Sequence, residues 1–474
     1  MLDTRRMGLT LLVLCACFAL AAGALGAAPD PSGEGGVDTG AEAPIVPAQL
    51  SLERATEIAL AYNPDVAASA EGVNAIRGLL TQAASRLGPR LTVSAQRVTP
   101  VDLPAFSFMS TDTNWQTDFS LSQPIYTGGS VSKGVAAAKS YLRGSAGQHQ
   151  RTQQTVAFAV RQTYYRVLTA EQQVKVSQEA VDSAQEHLRV AQLRYEAGVS
   201  PQFDVLAADA RVARVEQTLI GDKADLAIGW ATLSNILGVP VPPGTALITE
   251  PTLSEVEVQD LDILLEEAFA RRPDLRATEA NAKAADAVLA VARAARQPYV
   301  SALVSYTLRE STTVPGESIG TPGSDLVVSQ SSGMIGLSAT WSLYNAGQVE
   351  GEVATAKAGL AQARKLIESE RQRIELGVRS AYVTLESGQA QVAAARKEAA
   401  QAQEARRIAT LRYQEGVGTS VEILDAEANL EEAKTRLNSA VLGFNLAIGR
   451  VDLAVGRDWQ GEAGAGGEME SAGE

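Results

Sequence analysis

The chain has 474 residues, a formal net charge of −14 at pH 7, and only two cysteines and two histidines. An acidic balance of that size excludes nucleic acid as a partner and argues against a polybasic membrane contact. Both cysteines, Cys15 and Cys17, lie in the first 28 residues, so the remainder offers no disulfide, thiolate nucleophile or cysteine metal site. His149 and His187 read as solvated helix residues rather than a ligand pair.

Residues 1–28 form an export signal. Arg5 and Arg6 precede an apolar run from Leu9 to Leu25, and Ala24-Leu25-Gly26 suits cleavage. Leu14-Cys15-Ala16-Cys17 also has the form of a lipoprotein signal, with Cys17 lipidated. The apolar run continues past Cys17, which favours ordinary cleavage. Residues 29–48 read as a disordered linker and 461–474 as a disordered acidic tail. After the signal no apolar run reaches membrane-helix length, so any membrane crossing must use strands.

Between these ends the chain is duplicated, with repeats at 49–250 and 251–460. Leu193-Arg194-Tyr195-Glu196-Ala197-Gly198 recurs as Leu411-Arg412-Tyr413-Gln414-Glu415-Gly416. From Tyr126/Tyr344 to Gly238/Gly456 the copies keep a spacing of about 218 positions. Earlier, Asn63-Pro64-Asp65 against Arg272-Pro273-Asp274 gives about 209. The difference must enter between Pro298 and Tyr344, where a long polar loop can absorb it.

Each repeat opens with a short helix, Leu52–Tyr62 or Leu261–Arg271. A second helix starts at Pro64 or Pro273, proline being suited to a first helical turn. It runs to about Gly88 or Arg296. Two strands follow, with apolar residues alternating with small polar ones: Trp115, Thr117, Phe119 and Leu121 in the first copy, and Val300 to Leu308 and Ile335 to Leu343 in the second. Polar loops are expected at 100–113 and 309–332.

The aromatics Trp115, Phe119, Tyr306, Trp341 and Tyr344 suit a membrane-interface belt, or else packing inside a soluble sheet. Then about 70 proline-free residues, Gly128–Ala197 or Ala346–Glu415, form an amphipathic helix of roughly 105 Å. Gly198 or Gly416 ends it, and a further helix runs back to Gly238 or Gly456. The fold is therefore mainly α with a small β part, built from duplicated helical hairpins.

Four strands with one apolar face cannot close a membrane barrel, whose smallest common size is about eight. Open edges in lipid leave backbone groups unpaired. The chain is expected to oligomerise and to contribute its strands to a shared barrel that continues into a ring of helices. No phosphate loop, metal cluster or nucleophile–base set is present, so neither an enzyme nor a cofactor is expected. The competing reading is a coiled-coil spacer or adhesin of the envelope, which has no need of two-faced strands.

The double repeat, the Leu-Arg-Tyr phrases and the following Asp204-Val205-Leu206 and Glu422-Ile423-Leu424-Asp425 resemble the TolC outer-membrane efflux protein family, over residues 48–456. The resemblance implies a homotrimer with a twelve-stranded outer-membrane barrel and a periplasmic helical tunnel. It implies an exit duct for efflux or type I secretion, joined to an inner-membrane pump through a periplasmic adaptor (membrane fusion) protein. It also implies that Gly198-Val199-Ser200 and Gly416-Val417-Gly418 are adaptor-contact turns at the tunnel tip.

Glu422 and Asp425, three apart, share one helix face. By themselves they suit the helix dipole and water; the resemblance makes them the pore constriction. It makes Tyr413 and Asp204 a hydrogen-bonded tip latch, whose usual arginine is replaced by Gly418. A weaker latch, or one assembled from other partners, is then expected. Tyr195, taken alone, is seam packing.

Overall fold

The computed structural model describes residues 46–98, 113–252, 259–313 and 326–458. The signal segment with Cys17, the linker up to residue 45, the acidic tail and the interiors of both strand loops lie outside the described residues. The two repeats have matching helices. Helix α1 (Leu52–Tyr62) and its counterpart α5 (Leu261–Arg271) each have 11 residues. Helices α2 (Pro64–Ser85) and α6 (Pro273–Ala294) have 22. Helices α3 (Ser130–Glu196) and α7 (Gln348–Gln414) have 67, and α4 (Gln202–Leu237) and α8 (Ser420–Val455) have 36. None of the described helices is long and apolar enough to cross a membrane.

The chain divides into two compact units. The first covers Ala75–Arg143 and Ala280–Arg364 and holds strands β2 (Arg90–Val98), β3 (Thr113–Tyr126), β5 (Tyr299–Thr313) and β6 (Leu326–Thr340). They form one antiparallel sheet in the order β2-β3-β5-β6, the two hairpins joined through β3 and β5. Pro124, which has no N–H to donate, lies where the β3–β5 register shifts.

Two strand expectations are corrected. The polar loop expected at 309–332 is partly sheet, because β5 continues to Thr313 and β6 restarts at Leu326. Within the described residues β2 runs over 9 positions and its counterpart β5 over 15. Serine and threonine alternating along a pleat are as much strand as loop when they line a polar face. At the other end, β6 stops at Thr340, so Trp341 and Leu343 lie beyond the strand.

The second unit covers residues 46–74, 144–279 and 365–458. Its two main cores repeat one another. In one, Leu52, Ala55, Ile58 and Ala59 of α1 pack with Val160, Tyr164 and Val167 of α3 and with Leu233 and Leu237 of α4. In the other, Leu264 and Ala268 of α5 pack with Ile374, Val378, Ala381 and Leu385 of α7 and with Phe444, Ala447 and Val451 of α8. Each short helix thus rests on a long helix and the end of its returning partner.

Val46, inside the span expected to be linker, is buried in the first core. The two-residue strand β1 (Gln49–Leu50) pairs in parallel with β4 (Ala246–Leu247). Tyr164, fully buried, fastens this junction: its hydroxyl donates to the Leu50 carbonyl at 2.8 Å and accepts from the Thr249 N–H at 2.9 Å.

Candidate functional site

Two places carry the functional reading, the sheet and the helical turns. The register sorts the strand residues into two faces. Rows Leu91–Leu121–Val304–Ile335 and Val93–Phe119–Tyr306–Gly333 run across one face. Rows Ser94–Asp118–Thr307–Ser332 and Gln96–Gln116–Arg309–Gln330 run across the other.

The polar face is cross-linked. Thr307 Oγ1 donates to Asp118 Oδ1 at 2.7 Å, Gln116 Nε2 donates to Asp118 Oδ2 at 2.9 Å, and Arg309 Nη2 donates to Gln116 Oε1 at 2.9 Å. Leu303 and Met334 are apolar exceptions on that side. On the apolar face Ile335 is 83% and Leu337 74% exposed in the single chain, far more than a soluble sheet leaves bare.

Trp115, at the far strand end, lies under Arg97 at 5.7 Å. Trp341 Nε1 donates to the Arg296 carbonyl at 3.1 Å, just past the near end. Phe119 and Tyr306 pair with each other at mid-strand.

The two turns share one backbone. Gly198 and Gly416 adopt φ of +72° and +78°, the left-handed region that costs a side chain energy. The Gly198 N–H bonds the Tyr195 carbonyl at 2.9 Å and the Val199 N–H bonds the Arg194 carbonyl at 2.9 Å. The Gly416 and Val417 N–H groups reach Tyr413 and Arg412 in the same way at 3.0 Å. This is a Schellman closure in both copies.

Val199 and Val417 are exposed. The buried hydroxyl of Ser200 has no hydrogen-bond partner among the described residues. After the second turn Thr419 caps α8, accepting from the Glu422 N–H at 3.3 Å. Glu422 and Asp425 are both exposed, and Glu422 lies 3.5 Å from Arg412 Nε.

Tyr413 is 4% exposed, in a small core with Ala409 and Ile423 against Val190. Arg194 of the first repeat lies over its ring at 4.5 Å and donates from Nη1 to its carbonyl at 2.7 Å. The ring of His187 is 5.5 Å away, and its Nε2 is 3.1 Å from Ser420 Oγ. The Tyr413 hydroxyl is buried without a hydrogen-bond partner.

Asp204 is felt there as a charge. Burial raises the Tyr413 pKa, Arg194 opposes this and Asp204 adds to it. Burial lowers the His187 pKa, against Glu427 and Asp204. The hydroxyl–carboxylate bond implied by the resemblance is not made within the chain; a guanidinium on the ring and its carbonyl holds the tyrosine instead.

His187 is buried, contrary to the solvated expectation, and His149 bonds Ser69 Oγ through Nδ1 at 2.7 Å. Tyr195 is 46% exposed and is not seam packing in the chain. Gly418, at the expected arginine's position, packs so closely that an added Cβ would come within 3.0 Å of the Arg412 Cβ and the Tyr413 nitrogen. The sequence did contain a signal for the missed residues: His187, Val190 and Arg194 fall at i, i+3 and i+7, one stripe of α3.

A duplicated helical-hairpin chain with a two-faced, open-edged sheet is the construction of an outer-membrane channel subunit. The profile of the outer membrane efflux protein family matches residues 55–239 and 264–446, and the chain belongs to that family. It is 26% identical to the pyoverdine export outer membrane protein OpmQ of Pseudomonas putida, over 88% of each chain. It is 25% identical to protein CyaE of Bordetella pertussis, over 92% of each.

Among solved structures it resembles the outer-membrane channel OprN (TM-score 0.72, 20% identity, 86% of this chain and 90% of that one). It also resembles the Campylobacter jejuni CmeC outer membrane channel (TM-score 0.71, 19% identity, 85% of each). At those identities the structural likeness establishes the fold alone. The family is one of membrane channels and not of enzymes, and its place is the outer membrane with a periplasmic extension.

Proposed function

We propose that three copies of the chain assemble into one duct, each lending four strands to a twelve-stranded barrel, and that it serves as the exit of a tripartite efflux or type I secretion system. The observation that carries this is the sheet. One face is apolar and bare, the other is hydrogen-bonded and polar, and both β2 and β6 are edges. Lipid tolerates such edges only when they are paired, so the strands of neighbouring copies must complete them.

The helical turns then form the inward end of the duct. Val199 and Val417 on those turns offer an apolar contact for a periplasmic adaptor, which links the duct to an inner-membrane pump. Glu422 and Asp425, repeated by threefold symmetry, form a carboxylate constriction that favours cations. The relatives support an export role, one of them being a pyoverdine export protein; the cargo here is a small compound or an exported protein chosen by the pump.

Single-channel recording of the purified protein in planar bilayers tests the reading. Small, steady openings blocked by multivalent cations, with block relieved by Glu422→Gln and Asp425→Asn, are expected. Failure of a folded oligomer to insert would overturn the duct, and block unchanged in the double variant would remove those acids from the constriction.

A further inference from the structure

Where α8 ends and α6 begins, against the middle of α3 and α7, a cleft of about 590 Å³ is lined by four arginines: Arg151, Arg272, Arg373 and Arg450. Asp274 is the one carboxylate lining it. It takes Arg272 through two bonds, Nε at 3.0 Å and Nη2 at 2.5 Å, and lies 3.4 Å from Arg151 Nε. Arg151 and Arg272 also donate to the last carbonyls of α8, those of Leu453 and Ala454, at 2.8 and 3.1 Å. Arg373 pairs with Glu370 of its own helix. Four guanidinium groups therefore meet two carboxylates. Burial first, and then the charge of Arg272, lower the Arg151 pKa to about 10 even with Asp274 beside it.

The repeat supplies the control. At the same spacings, Arg272, Arg373 and Arg450 correspond to Asn63, Thr155 and Thr232, while Asp274 corresponds to Asp65. In the first copy Asn63 makes the junction with neutral groups. Its Oδ1 accepts from the Asp65 N–H at 2.8 Å and its Nδ2 donates to the Ile236 carbonyl at 2.8 Å. The backbone thus forms this helix junction without any arginine, and the three arginines of the second copy, joined by Arg151 of the first, gather at the other junction for another reason.

We propose that this cleft binds a multivalent oxyanion of the phosphate class, with the solvent-facing Arg373 and Arg450 as its primary donors and the half-buried Arg151 and buried Arg272 supplying the field. Paired guanidinium forks match tetrahedral oxyanions, and an uncompensated buried cation gains most from a second negative charge. The proposal is independent of the duct reading.

The test uses pyrophosphate on the purified full-length protein, with chloride at matched ionic strength as the control. A saturable rise in thermal midpoint with pyrophosphate but not chloride is expected, and calorimetry should show Arg450→Gln, at an exposed position, weakening binding about tenfold. The double variant Arg373→Gln/Arg450→Gln, which leaves the Asp274–Arg272–Arg151 cluster intact, should lose the response. No saturable rise in the parent would overturn the proposal. So would an undiminished response in a folded double variant. Destabilisation of the double variant without any pyrophosphate effect on the parent would also overturn it, assigning the cleft to a neighbouring subunit's carboxylates.

Discussion

The two helical turns are one backbone with two chemistries. Both close by the same Schellman bonds, yet Tyr195 of the first is 46% exposed and Tyr413 of the second is 4% exposed. The first turn enters α4 through Pro201 with no side-chain cap; the second is capped by Thr419 and tied by Arg412 to Glu422. The only arginine over a tyrosine ring at these turns, among the described residues, is Arg194 of the first repeat on Tyr413 of the second. Duplication thus preserved the turn, and divergence made the second copy the anchored one.

The largest effect should come from the sheet on which the duct reading depends. A charge on the apolar face, as in Ile335→Arg or Leu337→Arg, costs about 2–4 kcal/mol near a bilayer midplane. Gels of unboiled samples should then lose the assembled oligomer. An intact oligomer in both variants would mean that this face does not meet lipid.

Next is the anchor itself. Arg194→Ala removes a cation–π contact and a charge-assisted bond to a carbonyl, together about 2–3 kcal/mol at a half-buried site. The stability of the tip, read by hydrogen exchange at residues 409–423, should drop accordingly. Tyr413→Phe separates the two accounts of this tyrosine. Its hydroxyl is buried without a partner among the described residues, so removing it should not destabilise the tip and should relieve a desolvation cost of about 1–3 kcal/mol. A loss comparable to that of Arg194→Ala would show that the hydroxyl finds its acid, Asp204, across a subunit boundary.

The smallest effect is pH-dependent. The buried tip holds the His187 pKa below its ordinary value, so the unfolded chain takes up the proton first. Tip stability should be complete above about pH 6.5 and decline as the pH falls below it. Protection at the tip, corrected for the intrinsic pH dependence of amide exchange, should fall between about pH 7.5 and 5.5, and His187→Gln should flatten that dependence. A profile equally steep in the variant would place the titration elsewhere.

Much of this was legible beforehand. Pro64 and Pro273 mark the α2 and α6 starts, and Gly198 and Gly416 the turns, because those residues have narrow backbone preferences. The strand faces followed from alternation. What escaped was any fact set by the meeting of the two repeats. Asp204 with Tyr413 was expected to bond across neighbouring helices; within one chain the hydroxyl has no partner among the described residues, and Arg194 and His187, neither adjoining the tyrosine in sequence, meet its ring instead. The loop expected at 309–332 was misread because serine and threonine serve a polar sheet face as readily as a loop. The arginine cleft joins four helices, so no local pattern announces it.

The most direct test of the anchored-turn account compares the two arginines that duplication makes equivalent, Arg194 and Arg412. Single-channel conductance should rise in Arg194→Ala, which frees Tyr413. It should stay near the parent value in Arg412→Ala, which removes a half-exposed 3.5 Å pair with Glu422 and a long, exposed 3.5 Å bond to the Val417 carbonyl. Equal effects from the two, or a larger one from Arg412→Ala, would contradict the claim that the second turn is held shut from the first repeat.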